Sequence, residues 1–182
     1  MKTIEKNIDH KNNIFYASTE TRIHFRWMLH RDLIEVLRIE AECFQCQWTE
    51  YDFSQCLQRR NCIGLVAEVN GQIQGFMVYE LSKRGINLLN LAVSRHFRRH
   101  EIGKKLIQKL IGKLKTNRRN RISAAIQESN LEAQLFLRNL GFRAISIWRH
   151  FYKESSDDAY LMQYRLHKNY QTPSKIKILD IR

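Results

Sequence analysis

The sequence has no long apolar run, a single proline (Pro173), seven glycines and four cysteines in 182 residues. No stretch approaches the roughly 20 apolar residues that a membrane helix needs, which excludes a helical span. Residues 1–20 alternate charged and amide side chains without an apolar centre, so they do not read as a secretory signal, and a cytoplasmic location is expected. Cys43 and Cys46 form one C-x-x-C, but no second pair and no His-x-x-x-His accompany it, so neither zinc nor any other metal is expected. A redox pair is not expected either, and all four cysteines read as free thiols in a reducing compartment. Neither common nucleotide signature occurs: there is no G-x-x-x-x-G-K-[ST] and no G-x-G-x-x-G. No internal repeat is visible.

Acidic residues are also scarce. Eighteen Asp and Glu face 31 Lys and Arg, for a net charge of +13. That balance favours an anionic partner: a phosphate-bearing cofactor, nucleic acid or an acidic surface. The excess is concentrated between Arg95 and Arg121, where eleven Lys and Arg stand against the single acid Glu101. For most of these residues a solvated helix face is the plainer reading. The aromatic stacking motifs of RNA-binding domains are absent, so nucleic acid is expected only through this basic face.

An apolar fraction of 43% suits one domain with a hydrophobic core. Period-two alternation makes residues 22–29 a strand. Asp32 is placed to cap a helix whose inner positions are Leu33, Val36, Leu37 and Ala41. Thr49 caps a second helix, with Asp52 closing a short capping box and Phe53 and Leu57 inward. Residues 62–69 and 72–81 are strands joined by Asn70-Gly71, a strong two-residue hairpin turn. Residues 86–93 read as a central strand buried on both faces. A helix over 101–115 carries Ile102, Leu106, Leu110 and Leu114 on one face. Residues 121–127 form a strand, and 130–139 a helix with Leu131, Leu135 and Phe136 inward. Gly141 stands where a left-handed residue ends that helix. Strands over 142–152 and 159–166 follow, joined by a turn at 153–158. The organisation expected is a leader (1–20), a domain (21–167) and a basic tail (168–182). The fold class is α/β (α+β): a mixed, mostly antiparallel sheet with helices on both faces. A monomer or weak dimer is expected.

The chemistry concentrates at residues 88–105, where a strand runs through a basic loop into a helix. Unpaired N–H groups of the first helical turn and the helix dipole make such a junction an anion site. Arg98, Arg99 and Lys104 add to that field, and Gly103 allows close backbone approach. The run Leu91-Ala-Val-Ser-Arg-His-Phe-Arg-Arg-His-Glu-Ile-Gly-Lys104 resembles the coenzyme A signature of the GNAT acetyltransferases. Asn130-Leu-Glu-Ala-Gln-Leu-Phe-Leu-Arg-Asn-Leu-Gly-Phe142 resembles that family's second motif. Within the family the sequence is most similar to the ribosomal-protein-alanine N-acetyltransferases. The shared features are Phe44-Gln-Cys-Gln-Trp48-Thr49-Glu50, Arg149-His-Phe-Tyr152 and Asp158-Ala159-Tyr-Leu-Met162.

The resemblance implies a GNAT fold and acetyl-CoA as cosubstrate. It implies cofactor contacts from Leu91, Ala92 and Val93, from Arg98, Arg99, His100, Glu101, Ile102, Gly103 and Lys104, and from Asn130. It implies an acceptor site near Phe44, Trp48 and Tyr152, and direct attack of an amine on the thioester. The acceptor implied is the α-amine of a protein N-terminus, with a ribosomal protein as one candidate. For Trp48 and Tyr152 the alternatives are loop packing and a sheet-edge aromatic. The pattern breaks at three positions. Glu101 replaces a phosphate-loop glycine, Leu137 replaces a tyrosine general acid, and Ala125 replaces a glutamate general base. Loss of general acid–base help typically costs about 10²–10⁴-fold. The substitutes available are Glu128, which strand alternation turns to the opposite face from Ala125, and Tyr152. Gln127 shares Ala125's face and is a candidate to hold a water. The alternative to an enzyme is a weak or inactive acyl-CoA-binding module docked on ribosome or RNA through the basic face.

Overall fold

The computed structural model describes residues 4–8, 14–18, 22–115, 118–152, 156–166 and 177–180. Within the expected leader, β1 (Ile4–Ile8) and β2 (Ile14–Ser18) pair antiparallel as a separate two-stranded sheet. The main sheet has eight strands. In chain order these are β3 (Ile23–Trp27), β4 (Cys62–Val69), β5 (Gln72–Leu81), β6 (Ile86–Val93), β7 (Arg121–Gln127), β8 (Arg143–Tyr152), β9 (Asp157–Arg165) and β10 (Lys177–Asp180). Across the sheet they run β10-β8-β9-β7-β6-β5-β4-β3. Among the described residues, only the β6–β7 and β10–β8 pairs are parallel. The tail expected from residue 168 thus contributes a strand beside β8, while the turn expected at 153–158 lies partly outside the described residues.

Helices cover both faces. On one, α1 (Leu33–Cys43) and α2 (Glu50–Gln58) pack Val36, Ile39, Phe53 and Cys56 onto Val66, Phe76, Val78 and Ala92. On the other, α3 (Ile102–Ile111) and α4 (Leu131–Asn139) pack Ile102, Leu106, Leu110 and Leu137 onto Met77, Tyr79, Leu88 and Ile122. Burying a Leu or Ile side chain contributes about 1.5–3 kcal/mol, so these two stripes hold the layers together. The Asn70-Gly71 turn has positive φ at both residues, and Gly141 has φ 93°, as the turn chemistry requires.

Several local expectations are corrected. Asp32 does not cap α1: its carboxylate accepts from the Leu29 N–H and pairs with Arg26. Ala41 points to solvent, and Ile39 and Glu40 take the inner face instead. Leu131 and Leu135 are exposed, because α4 docks through Leu137, with Phe136 against the core edge. Strand β6 alternates buried and less buried positions rather than being buried throughout. Cys56 and Cys62 are disulfide-bonded, since the turn between α2 and β4 brings their Cα atoms to 6.0 Å. Among the described residues no helix is long and apolar enough to cross a membrane.

Candidate active site

The site arises where two parallel strands part. β6 and β7 are in register only over Ile86–Leu88 against Ile122–Ala124. Opposite them, the β5–β6 register slips between Val78 and Tyr79, leaving Leu89 as the extra residue of a β-bulge. A bulge bends its strand and increases the local twist. Beyond it, the β6 edge from Leu89 to Val93 has no strand partner on the β7 side among the described residues. The gap is a cleft of about 230 Å³ walled by β6, β7, the start of α4, the α1–α2 loop and the end of β8.

Asn90, Leu91, Ala124, Ala125, Gln127, Asn130, Leu137, Phe44, Trp48 and Tyr152 all line it. The structure therefore brings Leu91 and Asn130 together with the expected acceptor residues Phe44, Trp48 and Tyr152. Trp48 packs within its loop, its ring edge-on to Phe53 at 5.2 Å between centroids, and it also walls the cleft. Asn130 caps α4, its Oδ1 accepting from the Ala133 N–H at 3.0 Å, which leaves its Nδ2 as the donor group.

The basic loop lies past the cleft's β6 end, outside its lining. Ile102, Gly103 and Lys104 open α3, and the first helical bond runs from the Lys105 N–H to the Glu101 carbonyl. N–H groups of that first turn have no partner within the helix, so they present a partial positive charge to the loop. Arg98, Arg99, His100 and Lys104 are exposed around it. Arg99 and Glu101 both hold left-handed backbones, φ 66° and 63°. This explains the glycine expected at 101: the loop needs a positive φ there. Gly103 has a packing reason as well, because a Cβ would lie 3.2 Å from the Phe136 ring. Cys43 reaches the same corner, its Sγ 3.4 Å from the Val93 carbonyl oxygen.

At the proton-handling positions the cleft is apolar. Ala125 carries no functional group, and Leu137 is 2% exposed in the core beneath. Glu128 does not line the cleft; it sits in the turn after β7, where its carboxylate accepts from the Asp158 N–H. Gln127 is occupied, donating to the Asp157 carboxylate. Tyr152 does line the cleft. Its hydroxyl donates to the Ala125 carbonyl at 3.4 Å, and burial pushes its pKa up, so it stays protonated through neutral pH. A bulged β8 places it: the register slips between Trp148 and Tyr152, and Asp158 latches that bend through the His150 N–H and Arg149.

Two residues of the wall escape pattern reading. Glu40 of α1 is 1% exposed and accepts from the Trp48 N–H at 2.8 Å and from Asn90 Nδ2 at 3.1 and 3.0 Å. Burial pushes its carboxyl up, against those two hydrogen bonds, which favour the charged form. The signal was present as a carboxylate on an apolar helix stripe facing a carboxamide, Asn90, within the apolar run of residues 88–93.

Comparison with known proteins identifies the family and the fold. The profile of the Acetyltransferase (GNAT) family matches residues 33–142. The chain is 25% identical over 145 residues to the N-alpha-acetyltransferase of Sulfurisphaera tokodaii, covering 72% of this chain and 86% of that protein. It is 25% identical over 133 residues to the [ribosomal protein bS18]-alanine N-acetyltransferase of Escherichia coli (strain K12), covering 72% and 89%. The fold is shared with Chaetomium thermophilum Naa20, solved with a bisubstrate analogue. That match has a TM-score of 0.75 at 17% identity, over 86% of this chain and 96% of that one.

Proposed function

The chain belongs to the GNAT acetyltransferase family, and from that premise we propose that it moves an acetyl group from acetyl-CoA to the α-amine of a protein N-terminus. The observation that carries this reading is the parting of β6 from β7 beside the α3 N-terminus. An unpaired strand edge offers backbone partners to an amide-containing arm. The helix start with Arg98, Arg99, His100 and Lys104 offers donors and charge to phosphates. The groups present therefore fit the cofactor: Leu91, Ala92 and Val93 would hold its arm, Glu101 to Gly103 would offer backbone N–H groups, and Asn130 Nδ2 would donate from the far wall. When bound, it supplies the acetyl thioester.

On the acceptor side, a peptide reaches the cleft past Phe44 and Trp48. A second groove lined by Gln47, Asp52, Gln55, Arg59 and Phe151 shares Cys46, Trp48 and Tyr152 with the first, giving an extended chain somewhere to lie. The names of the relatives favour a protein N-terminus, with a ribosomal protein as the leading acceptor. With Ala125 and Leu137 in place of proton-transfer groups, catalysis rests on orientation, with Tyr152 as a hydroxyl donor within the cleft. Action in the cytoplasm is part of the same proposal.

The test is incubation with acetyl-CoA and a pooled library of N-terminal peptides, read by mass. Acetylation that is lost with Arg98→Glu and reduced with Asn130→Ala supports the reading. No acetyl-CoA binding at micromolar concentration ends it. A second reading draws on the apolar residues at 125 and 137: an acyl-CoA-binding module that docks on RNA through its basic face. It requires salt-sensitive RNA binding without cofactor, together with no peptide acetylation.

A further inference from the structure

The carboxamide of Asn90 is held in one orientation. Its nitrogen donates to both oxygens of Glu40, at 3.1 and 3.0 Å. A carboxylate can only accept, so the amide must turn its NH₂ toward Glu40 and its oxygen away. That oxygen is shielded from solvent and has no hydrogen-bond partner among the described residues. Asn90 is 7% exposed and stands in the cleft wall next to the Leu89 bulge. A buried acceptor left without a donor costs about 1–3 kcal/mol. A chain that keeps one in its cleft is incomplete until something brings an N–H or O–H.

The face of the sheet indicates what brings it. Leu91 and Val93 pack with the α3 and α4 side, where the phosphate loop lies. Asn90 is tied to the opposite side through Glu40 of α1, which also receives the Trp48 N–H. Phe44 and Trp48 pack with that second face. Asn90 therefore belongs with the acceptor wall, and the group lacking a partner on an acceptor molecule is its amine.

We propose that Asn90 Oδ1, oriented by Glu40, accepts an N–H from the attacking amine and turns the nitrogen lone pair toward the thioester carbon. This rests on the acetyltransferase reading above. In the transfer, the C–N bond forms, the C–S bond breaks, and the surplus N–H proton leaves with the thiol: R–NH₂ + CH₃CO–SR′ gives R–NH–COCH₃ + HSR′. Asn90 takes no proton. It aligns the amine in a cleft whose positions 125 and 137 offer no proton-transfer group. Glu40 is a positioning residue that acts through Asn90 and through the Trp48 loop.

The experiment compares the full-length protein with Asn90→Ala and Glu40→Gln. The probes are the N-terminal peptide that the wild type acetylates fastest and a CoA–peptide conjugate, whose junction carries one N–H. In Asn90→Ala, CoA affinity stays within about twofold, while kcat/KM for the peptide and affinity for the conjugate each fall roughly 10- to 100-fold. Glu40→Gln gives a smaller loss of the same kind, because a neutral amide lets Asn90 turn over. In the wild type, the side-chain amide resonances of Asn90 shift on adding conjugate but not on adding CoA alone, a readout that needs no variant to fold. Unchanged kcat/KM in Asn90→Ala, equal losses for CoA and conjugate, or unshifted Asn90 resonances overturn the proposal while leaving the acetyltransferase reading intact. Wild-type protein that binds CoA but acetylates no peptide overturns both.

Discussion

The Glu101 carboxylate lies 2.6 Å from Lys104 Nζ, while the Glu101 backbone is left-handed, at φ 63°. One residue thus strains the basic loop before α3 and occupies one of its cations. A left-handed non-glycine residue costs about 1–2 kcal/mol, and a carboxylate at a helix start competes with a bound phosphate.

Glu101→Gly should therefore tighten acetyl-CoA binding by about two- to fivefold, from the 0.3–1 kcal/mol that a charge near a helix end contributes. Stability should change by less than about 1 kcal/mol, because relief of strain is offset by the freer unfolded chain. Calorimetric titration at two salt concentrations checks this, and weaker binding by the glycine variant would contradict it.

Asn130 does two jobs that can be separated. Its Oδ1 caps α4, and the residue lines the cleft, with Nδ2 as its remaining donor. Asn130→Ala loses both and should cost about 1 kcal/mol of stability. Asn130→Asp keeps the cap and loses only the donor. Both variants should bind acetyl-CoA more weakly, but only the alanine variant should melt earlier. Full affinity in the aspartate variant would remove Nδ2 from the site.

Much of this frame was legible in the sequence. The Asn70-Gly71 turn, the Thr49 cap and the α3 stripe follow from local chemistry that tertiary contacts did not override. The α4 face did not follow, because its nine residues carry two competing stripes, and Leu137 with Phe136 prevails over Leu131 with Leu135. The opening between β6 and β7 was also hidden. It depends on the Leu89 bulge, and a one-residue slip in register leaves no trace in hydrophobic periodicity. Glu40 and Asn90 were passed over because periodicity treats a lone polar residue in an apolar stripe as noise, whereas burial makes such a pair informative.

The apolar surface at position 125 makes a gain of activity testable. Ala125 is half-buried in the cleft wall, so a longer side chain there projects into the open volume. Ala125→Glu should raise kcat by at least about tenfold, short of the roughly 10²–10⁴-fold that a fully aligned general base contributes. Leu137→Tyr is a different case, since that position is 2% exposed and overpacking costs about 1–3 kcal/mol. It should lower the melting temperature. Initial rates with the best peptide and thermal melts decide both, and an unchanged kcat in Ala125→Glu would show that proton removal does not limit the reaction.

The entry to α1 depends on a half-buried ion pair whose pH response has a definite sign. Arg26 donates to both oxygens of Asp32, at 2.6 and 2.9 Å, and to Glu68 at 2.7 Å, while Asp32 is 4% exposed. Burial alone pushes the Asp32 carboxyl up, but the Arg26 hydrogen bond, the Leu29 N–H and the nearby positive charges outweigh it and hold the carboxyl below its ordinary 3.8. A depressed carboxyl contributes stability that is present above 3.8 and is lost as pH falls through its folded value. Arg26→Ala leaves a buried carboxylate unpaired and should cost about 3 kcal/mol at pH 7. The variant's Asp32 then titrates upward, since burial is opposed only by the Leu29 N–H and the Arg31 charge, and protonation relieves the unpaired charge. The stability gap between wild type and variant should therefore narrow as pH falls from neutrality toward the ordinary carboxyl value of 3.8, because a desolvated carboxyl takes up its proton above that value. Urea unfolding at several pH values measures the gap directly. A gap that stays constant across that range would mean that Arg26 acts through packing of its stem rather than through its charge.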